Sequence, residues 1–323
     1  MQDVGRLAGV SSATVSAVVN DKSVVSAELT KRVRRAIRML NYQPDILARS
    51  LRLQKSHMLG MVMPQIASPF YAEVLRGVED EARENGYSVL ISDSRGDLKE
   101  EEKQLIALIS RRVDGILLAP VNPQSVAYRF QDLNLAVVLF DRYPNGFPGS
   151  VVMVEHVDAS RRGAKCLIDA GHNRIASIAG TQGILTAEER VKGTRDIMNE
   201  SGIPLPPEYV KAGDFNMRGG YAAAIELMRL PSPPTAVFSH NYEMTLGLMR
   251  ALSELGIPCP AQISVLGFDD FVVGADGFSW ATMFSPQISC IAQPSYSIGR
   301  ESAAALIRKM SRKDDDEAMP EQI

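Results

Sequence analysis

Seven short apolar runs recur between residues 59 and 270, each separated from the next by a stretch with helical patterning. They read LGMVMP (59–64), YSVLIS (87–92), GILLAP (115–120), AVVLFD (136–141), RIASIAG (174–180), AVFSH (236–240) and ISVLGFDD (263–270). Strands that are apolar almost throughout, rather than at alternate positions, must be covered on both faces. Parallel sheets flanked by helices provide that cover. Seven strand–helix units spread over about 250 residues fit two doubly wound sheets better than one.

The chain has 323 residues, 45% hydrophobic and 23% charged, which is ordinary for two or three globular domains and excludes disorder over most of its length. No apolar stretch reaches the ~18 residues of a membrane helix, and the N-terminus lacks the order of a signal peptide. A cytoplasmic protein without a membrane partner is expected. Cys166, Cys259 and Cys290 are too far apart for a zinc motif and are expected to be buried free thiols. The net charge of −3 conceals an asymmetry: residues 1–57 carry +6 and the remainder −9. A small basic segment on an acidic body is the electrostatic pattern of a nucleic-acid-binding head.

That segment reads as three helices. Val4, Leu7 and Ala8 share one side of the first, which Gly9 ends. Ser11 can cap a second helix running to about Asn20, with Val15, Val18 and Val19 as its apolar side. Ser26 can cap a third, in which Leu29, Val33, Ile37 and Leu40 form one face while Lys31, Arg32, Arg34, Arg35 and Arg38 fall largely off it. Two short helices joined at a glycine, with a third closing the core, make a helix-turn-helix unit whose second helix can enter the major groove. Pro44 and Asp45 then open a possible short helix with Leu47 and Leu51 one turn apart.

The strings DVGRLAGVSSATVSAVVN (3–20) and VSAELTKRVRRAIRMLNYQPDILARSLR (25–52) resemble the headpiece of the lactose-repressor/galactose-repressor family of transcription regulators. The resemblance runs from residue 3 to about 310. It implies that Ser12, Ala13 and Ala17 face the bases, with Ser11, Thr14 and Ser16 at phosphates or helix caps. It also implies a hinge helix in the minor groove, with Leu51 wedged into a base step and Arg49 and Arg52 at phosphates or the narrow groove. The plainer alternative is a linker whose leucines pack on the body. Ala17 departs from the long polar residue often found there. Alanine reaches only a thymine methyl, so either readout on this helix is weak or it falls to Ser12, Asn20 and the hinge. Gly5 stands where the family commonly has alanine, at a helix-propensity cost of about 1 kcal/mol. Family members usually carry several residues ahead of the motif, and a further strand after a loop such as SRKDDDEAMPEQI.

For the body, the resemblance implies the two-lobed architecture of periplasmic binding proteins. The expected domains are a headpiece at 1–43, a hinge at 44–57, a first lobe at 58–155 and 288–310, a second lobe at 156–287 and a mobile tail at 311–323. Dimer contacts are expected from the first helices of both lobes, such as the one holding Ala72–Arg83. In open α/β sheets ligands bind beyond the carboxyl ends of strands. The residues found there are Phe70, Tyr71, Asp93, Asp141, Arg142, Asn241, Tyr242, Asp269 and Asp270, with a loop leading to Arg190. Carboxylates, amides and guanidinium groups with an aromatic face suit a small polyhydroxylated ligand. The resemblance agrees: SPFYAEVLRG places Phe70 and Tyr71 on the ring, EERVKG supplies Arg190, GDFNMRGG supplies Phe215 as an aromatic wall, SHNYEMTLG supplies Asn241 and GFDD supplies Asp269. Tyr242 departs from the aspartate common after that asparagine.

The chain therefore reads as a ligand-responsive regulator, a repressor by resemblance. A homodimer would bind pseudopalindromic double-stranded operator DNA and respond to a small-molecule effector of carbohydrate type, with no cofactor or metal. The rival reading is a small-molecule receptor without DNA function, which the basic head opposes. No G-x-S-x-G, P-loop, metal spacing or positioned histidine pair supports an enzyme; His57, His156, His172 and His240 are scattered.

Overall fold

The computed structural model describes residues 1–19, 25–42, 55–125, 135–144, 147–273 and 278–311. Asn20, Arg49, Leu51 and Arg52, and the tail from 312 onward, lie outside the described residues. The chain divides into two compact units, Met1–His57 and Met58–Ile323.

In the first unit, α1 (Gln2–Ala8) ends at Gly9, whose φ of 64° lets its N–H turn back to the last carbonyls. Arg32 closes the same helix end by donating Nη2 to the Ala8 carbonyl at 2.6 Å. The second helix, α2 (Ser12–Val19), starts as expected: Ser11 Oγ accepts the Thr14 N–H at 3.1 Å. Ser26 likewise caps α3 (Ala27–Met39) by accepting from Leu29 N–H. The core consists of Val4, Ala8, Val15, Val18, Val33 and Ala36. Leu7 and Leu40, expected inside, stay exposed at 49% and 44%, and Leu29 is only half-buried. So short a bundle buries only a narrow stripe: the i, i+4 pair Val4/Ala8, and Val33 with Ala36. Gly5 has a packing reason, because a Cβ there would lie 2.8 Å from the Val10 carbonyl oxygen.

The second unit contains two five-stranded parallel sheets. The first has the order β2-β1-β3-β4-β5, formed by β1 (Met58–Met63), β2 (Ser88–Asp93), β3 (Gly115–Leu118), β4 (Ala136–Phe140) and β5 (Val151–Val152). Helices α4 (Pro69–Glu84) and α5 (Leu98–Ser110) belong to this lobe. After 153–155 the chain crosses to α6 (His156–Asp169), β6 (Ile175–Ala179), α7 (Leu185–Glu200) and β7 (Val210–Ala212). It continues through α8 (Met217–Met228), β8 (Ala236–Ser239), α9 (Tyr242–Glu254) and β9 (Ser264–Phe268). A small hairpin follows, β10 (Val272–Val273) with β11 (Phe278–Ser279), and then β12 (Ser289–Ile291). The second sheet has the order β12-β9-β8-β6-β7. Helix α10 (Ser295–Ser311) returns to the first lobe against α4, β3 and β4.

All seven expected strands form. Some tips shed residues that the apolar runs had included, such as Pro120 and Asp141, while Met58 joins β1 and Asp93 joins β2. The expected return to the first lobe at 288 is corrected: β12 pairs with β9 in parallel (Ser289↔Leu266, Ile291↔Phe268), so the second lobe runs through 291. Ser311, assigned to the tail, is the last residue of α10. Cys166, expected buried, is exposed on α6, while Cys259 and Cys290 are half-buried.

The helix pairs approach backbone to backbone at glycines. On α4 and α10, a Cβ at Gly77 would run into the Tyr296 carbonyl and one at Gly299 into the Val74 carbonyl. Neither neighbour can yield without moving a helix. Gly299→Ala is expected to cost about 3 kcal/mol, read as a lower urea midpoint at unchanged m-value.

Candidate functional site

On the head, Ser11, Ser12 and Ala13 are exposed at the start of α2, Thr14, Ser16 and Ala17 are half-buried, and Val15 and Val18 face the core. The outward surface of this helix therefore offers hydroxyls and methyl groups. Ser11 Oγ and Thr14 Oγ1 lie 3.0 Å apart, so these hydroxyls order the helix start as well as facing outward. The positive charge sits on α3, where Lys31, Arg34, Arg35 and Arg38 are exposed. Arg32 differs in role, being held by the α1 terminus.

In the body, all nine effector candidates line one cavity of about 600 Å³: Phe70, Tyr71, Asp93, Asp141, Arg142, Arg190, Phe215, Asn241 and Asp269. That volume lies within the ~300–1,000 Å³ typical of small-molecule sites. From the first lobe, Pro69 opens α4 and sets Phe70 and Tyr71 in its first turn. Their rings meet edge-on at 5.0 Å. Tyr71 Oη donates to Asp141 Oδ2 at 2.7 Å. Arg142 joins both, with Nε 3.0 Å from Asp141 Oδ2 and Nη2 2.9 Å from Tyr71 Oη. Asp141 directly follows β4 with φ at 66°, a left-handed turn that aspartate tolerates. Burial alone would raise the Asp141 carboxyl, but Arg142 and its other partners hold it below the usual carboxylate range, so it remains an acceptor. Burial drives the Tyr71 phenol well above its ordinary value, so it remains a donor.

From the second lobe, Arg190 on α7 is 4% exposed. Its guanidinium lies 3.8 Å from the centre of the Phe268 ring, donates Nη1 to the His240 carbonyl, and places Nε 3.4 Å from His156 Nδ1. Asp269 stands 4.0 Å away and accepts from Gln293 Nε2 at 2.5 Å. Burial pushes the Asp269 carboxyl up, with Arg190 and Gln293 opposing. Asn241 caps α9, accepting from Met244 N–H at 2.8 Å and donating to the Phe215 carbonyl at 3.2 Å. Phe215, at φ 55°, lies flat on Gly180, where any Cβ would collide with the ring.

Strand-tip reasoning stopped short of several lining residues. Gln65 follows β1, Arg95 follows β2, Asn122 follows β3 and Glu243 follows β8, so the same rule reaches all four; Ser68, Thr186 and Gln293 carry no such signal in the sequence. Asp270, placed at the tip of β9, lies outside the cavity lining and accepts from Ser279 Oγ instead. Glu101 stands in the run KEEEK, where nothing in the sequence separates it from its neighbours. It is fully buried, accepts the Val121 N–H at 2.6 Å and the Ser125 hydroxyl at 2.5 Å, and so holds the loop that carries Asn122.

His156 and His240 are buried beside Arg190, and both are pushed down to about 3, first by burial and then by the cation. The unfolded chain therefore binds more protons than the folded one between roughly pH 6.5 and 3. Each histidine is expected to remove about 1.4 kcal/mol of stability per pH unit as pH falls below 6.5. Glu101 and Asp269, raised by burial, pull the other way nearer the carboxylate range. Urea unfolding compared between pH 7.5 and 5.5 should show the loss, and His240→Asn should reduce it.

A basic helix-turn-helix unit joined to a two-lobed body with a polar cleft defines a ligand-binding transcription regulator. Residues 1–45 match the family described as "Bacterial regulatory proteins, lacI family", and residues 56–323 match "Periplasmic binding proteins and sugar binding domain of LacI family". The chain belongs to the LacI family of transcriptional repressors. It is 34% identical over 314 residues to the ribose operon repressor of Escherichia coli K12, covering 97% of this chain and 93% of that one. It is 32% identical to the repressor PurR of Pasteurella multocida, covering 99% and 95%. Among solved structures, the Lac repressor dimer bound to operator and the anti-inducer ONPF superposes with a TM-score of 0.85 at 27% identity, covering 95% and 91%. The CelR–cellobiose complex gives 0.74 at 29% identity, covering 100% and 95%. These relatives are regulators rather than enzymes. Among the described residues no helix is long and apolar enough to cross a membrane, and no acidic, histidine or cysteine cluster has metal-site form.

Proposed function

We propose that the chain acts in the cytoplasm as a homodimer on a pseudopalindromic operator, and that a neutral carbohydrate or sugar derivative in the cleft controls it. Twofold protein symmetry asks for twofold DNA symmetry. Ser12, Ala13 and Ala17 serve as the base-facing residues, Ser11, Thr14 and Ser16 as phosphate or cap contacts, and Asn20, Arg49, Leu51 and Arg52 complete the DNA contacts. First helices of the two lobes supply the dimer contacts.

The observation that carries the effector reading is the pairing of every buried charge in the cavity. Asp141 is matched with Arg142 and Asp269 with Arg190. A floor of paired carboxylates and guanidinium groups favours hydroxyls, which both donate and accept, over a net anion or cation. Gln293 Oε1, buried without a hydrogen-bond partner, offers one more acceptor. Phe70 and Phe215 supply apolar surface for a ring's C–H face. The neighbouring cellobiose complex and the ribose repressor point the same way by name.

Calorimetric titration of the full chain with pentoses, hexoses, disaccharides and purine bases tests this. Saturable binding of a neutral sugar supports the reading. Binding confined to purine bases replaces it, and binding of none removes it.

A further inference from the structure

Resting on the cleft reading above, we infer that Gln65 and Glu243 are a positioning pair whose hydrogen bond across the cleft mouth sets how tightly the closed lobes hold the effector. Gln65 follows β1 in the first lobe, while Glu243 is the second residue of α9 in the second lobe. Gln65 Nε2 donates to Glu243 Oε1 at 3.0 Å, and both side chains line the cavity. The two residues are 178 positions apart in sequence and sit in bodies with separate sheets. Their bond therefore exists only at one separation of the lobes. A contact made in one arrangement and lost in the other is what gives a lobe movement a free-energy bias.

The acceptor is braced from its own lobe. Glu243 Oε1 also accepts from Tyr242 Oη at 3.3 Å. The Tyr242 ring stands edge-on to Phe271, 4.9 Å between centroids, and packs against the buried Trp280 at 6.3 Å. An ordinary surface glutamate must surrender rotamer freedom to meet a partner. This one is partly ordered beforehand by a hydroxyl fixed in an aromatic cluster. The tyrosine thus has a physical role at a position where an aspartate would bring a second negative charge beside Glu243.

The test is a double-mutant cycle in the full chain with Gln65→Ala, Glu243→Ala and their combination. Two readouts are used: dissociation of the sugar with the strongest signal in the titration panel, and amide hydrogen exchange of segments 64–72 and 241–246 in ligand-free protein. Each single variant is expected to speed sugar release roughly fivefold and to raise exchange in both segments, with the double variant no worse than either single. Tyr242→Phe should fall between wild type and Glu243→Ala. Additive losses in the cycle, or altered sugar release with exchange unchanged, would overturn the pairing and make the two residues separate ligand contacts or bystanders. If wild type binds no panel sugar, the carbohydrate reading fails on its own. Ligand-free exchange then still decides the pair: equal, non-additive increases support it and unchanged exchange rejects it.

Discussion

Arg190→Met should weaken effector binding at least about 100-fold while the headpiece keeps its affinity for DNA. Arg190 is held from four sides by Phe268, His240, His156 and Asp269. It reaches the cavity as a fixed fork rather than a flexible cation. For the proposed sugar, two charge-assisted hydrogen bonds from this fork to vicinal hydroxyls would contribute about 1.5–3 kcal/mol each, which is the source of that factor. Methionine preserves much of the packing but leaves the buried Asp269 without its cation. Breaking a buried pair from one side costs about 3–5 kcal/mol. A stability loss of that order should accompany the loss of binding, and Asp269 should protonate more readily. Arg190→Lys separates the effects, because it keeps the charge and loses the fork. It should recover most of the stability and little of the affinity. Calorimetric titration and urea unfolding of the three proteins read both quantities.

Val15→Asp should abolish sequence-specific DNA binding and leave sugar binding untouched. Val15 is fully buried among the described residues, in a core whose six buried side chains are all valine or alanine, with Ile37 and Tyr42 among the half-buried residues packed against it. So small a core has little reserve, since domains of this size are only marginally stable. A carboxylate there has no described partner in the core and costs several kcal/mol to bury. The unit Met1–His57 should unfold, whereas Met58–Ile323 is a separate compact unit. Electrophoretic mobility shift should show loss of the specific complex, and sugar titration should match wild type within error. Loss of sugar binding as well would contradict the division into a reading head and a sensing body.

Much of this arrangement was legible in the residues. Both lobes follow from strands apolar enough to need cover on two faces, and the tips of those strands point at the cleft. Eight of the nine effector positions come from that rule and the loop to Arg190; Phe215 needed the family resemblance, because a phenylalanine before a helix is more often core than wall. What escaped did so for definable reasons. The strand β12 is three residues, Ser-Cys-Ile, too short to show a pattern, and it moved the lobe boundary from 288 to beyond 291. Glu101 looked like one carboxylate among neighbours in an acidic run. Only the fold shows that it points inward, to the Val121 loop. The Gln65–Glu243 contact joins residues far apart in sequence, and no local pattern announces such a meeting. Leu7 and Leu40 failed in the opposite sense, since apolar periodicity predicts a wider buried face than three short helices possess.

In the proposed function, a hydroxyl- and methyl-faced recognition helix reads a twofold operator under the control of the cleft. Selecting duplexes from a random pool with the full chain, at two salt concentrations and with or without the bound sugar, tests it most directly. The expected result is recovery of two inverted half-sites with little demand for guanine opposite Ala17, and a change in yield when sugar is added. Recovery of only salt-sensitive, sequence-blind binding, indifferent to sugar, would contradict it.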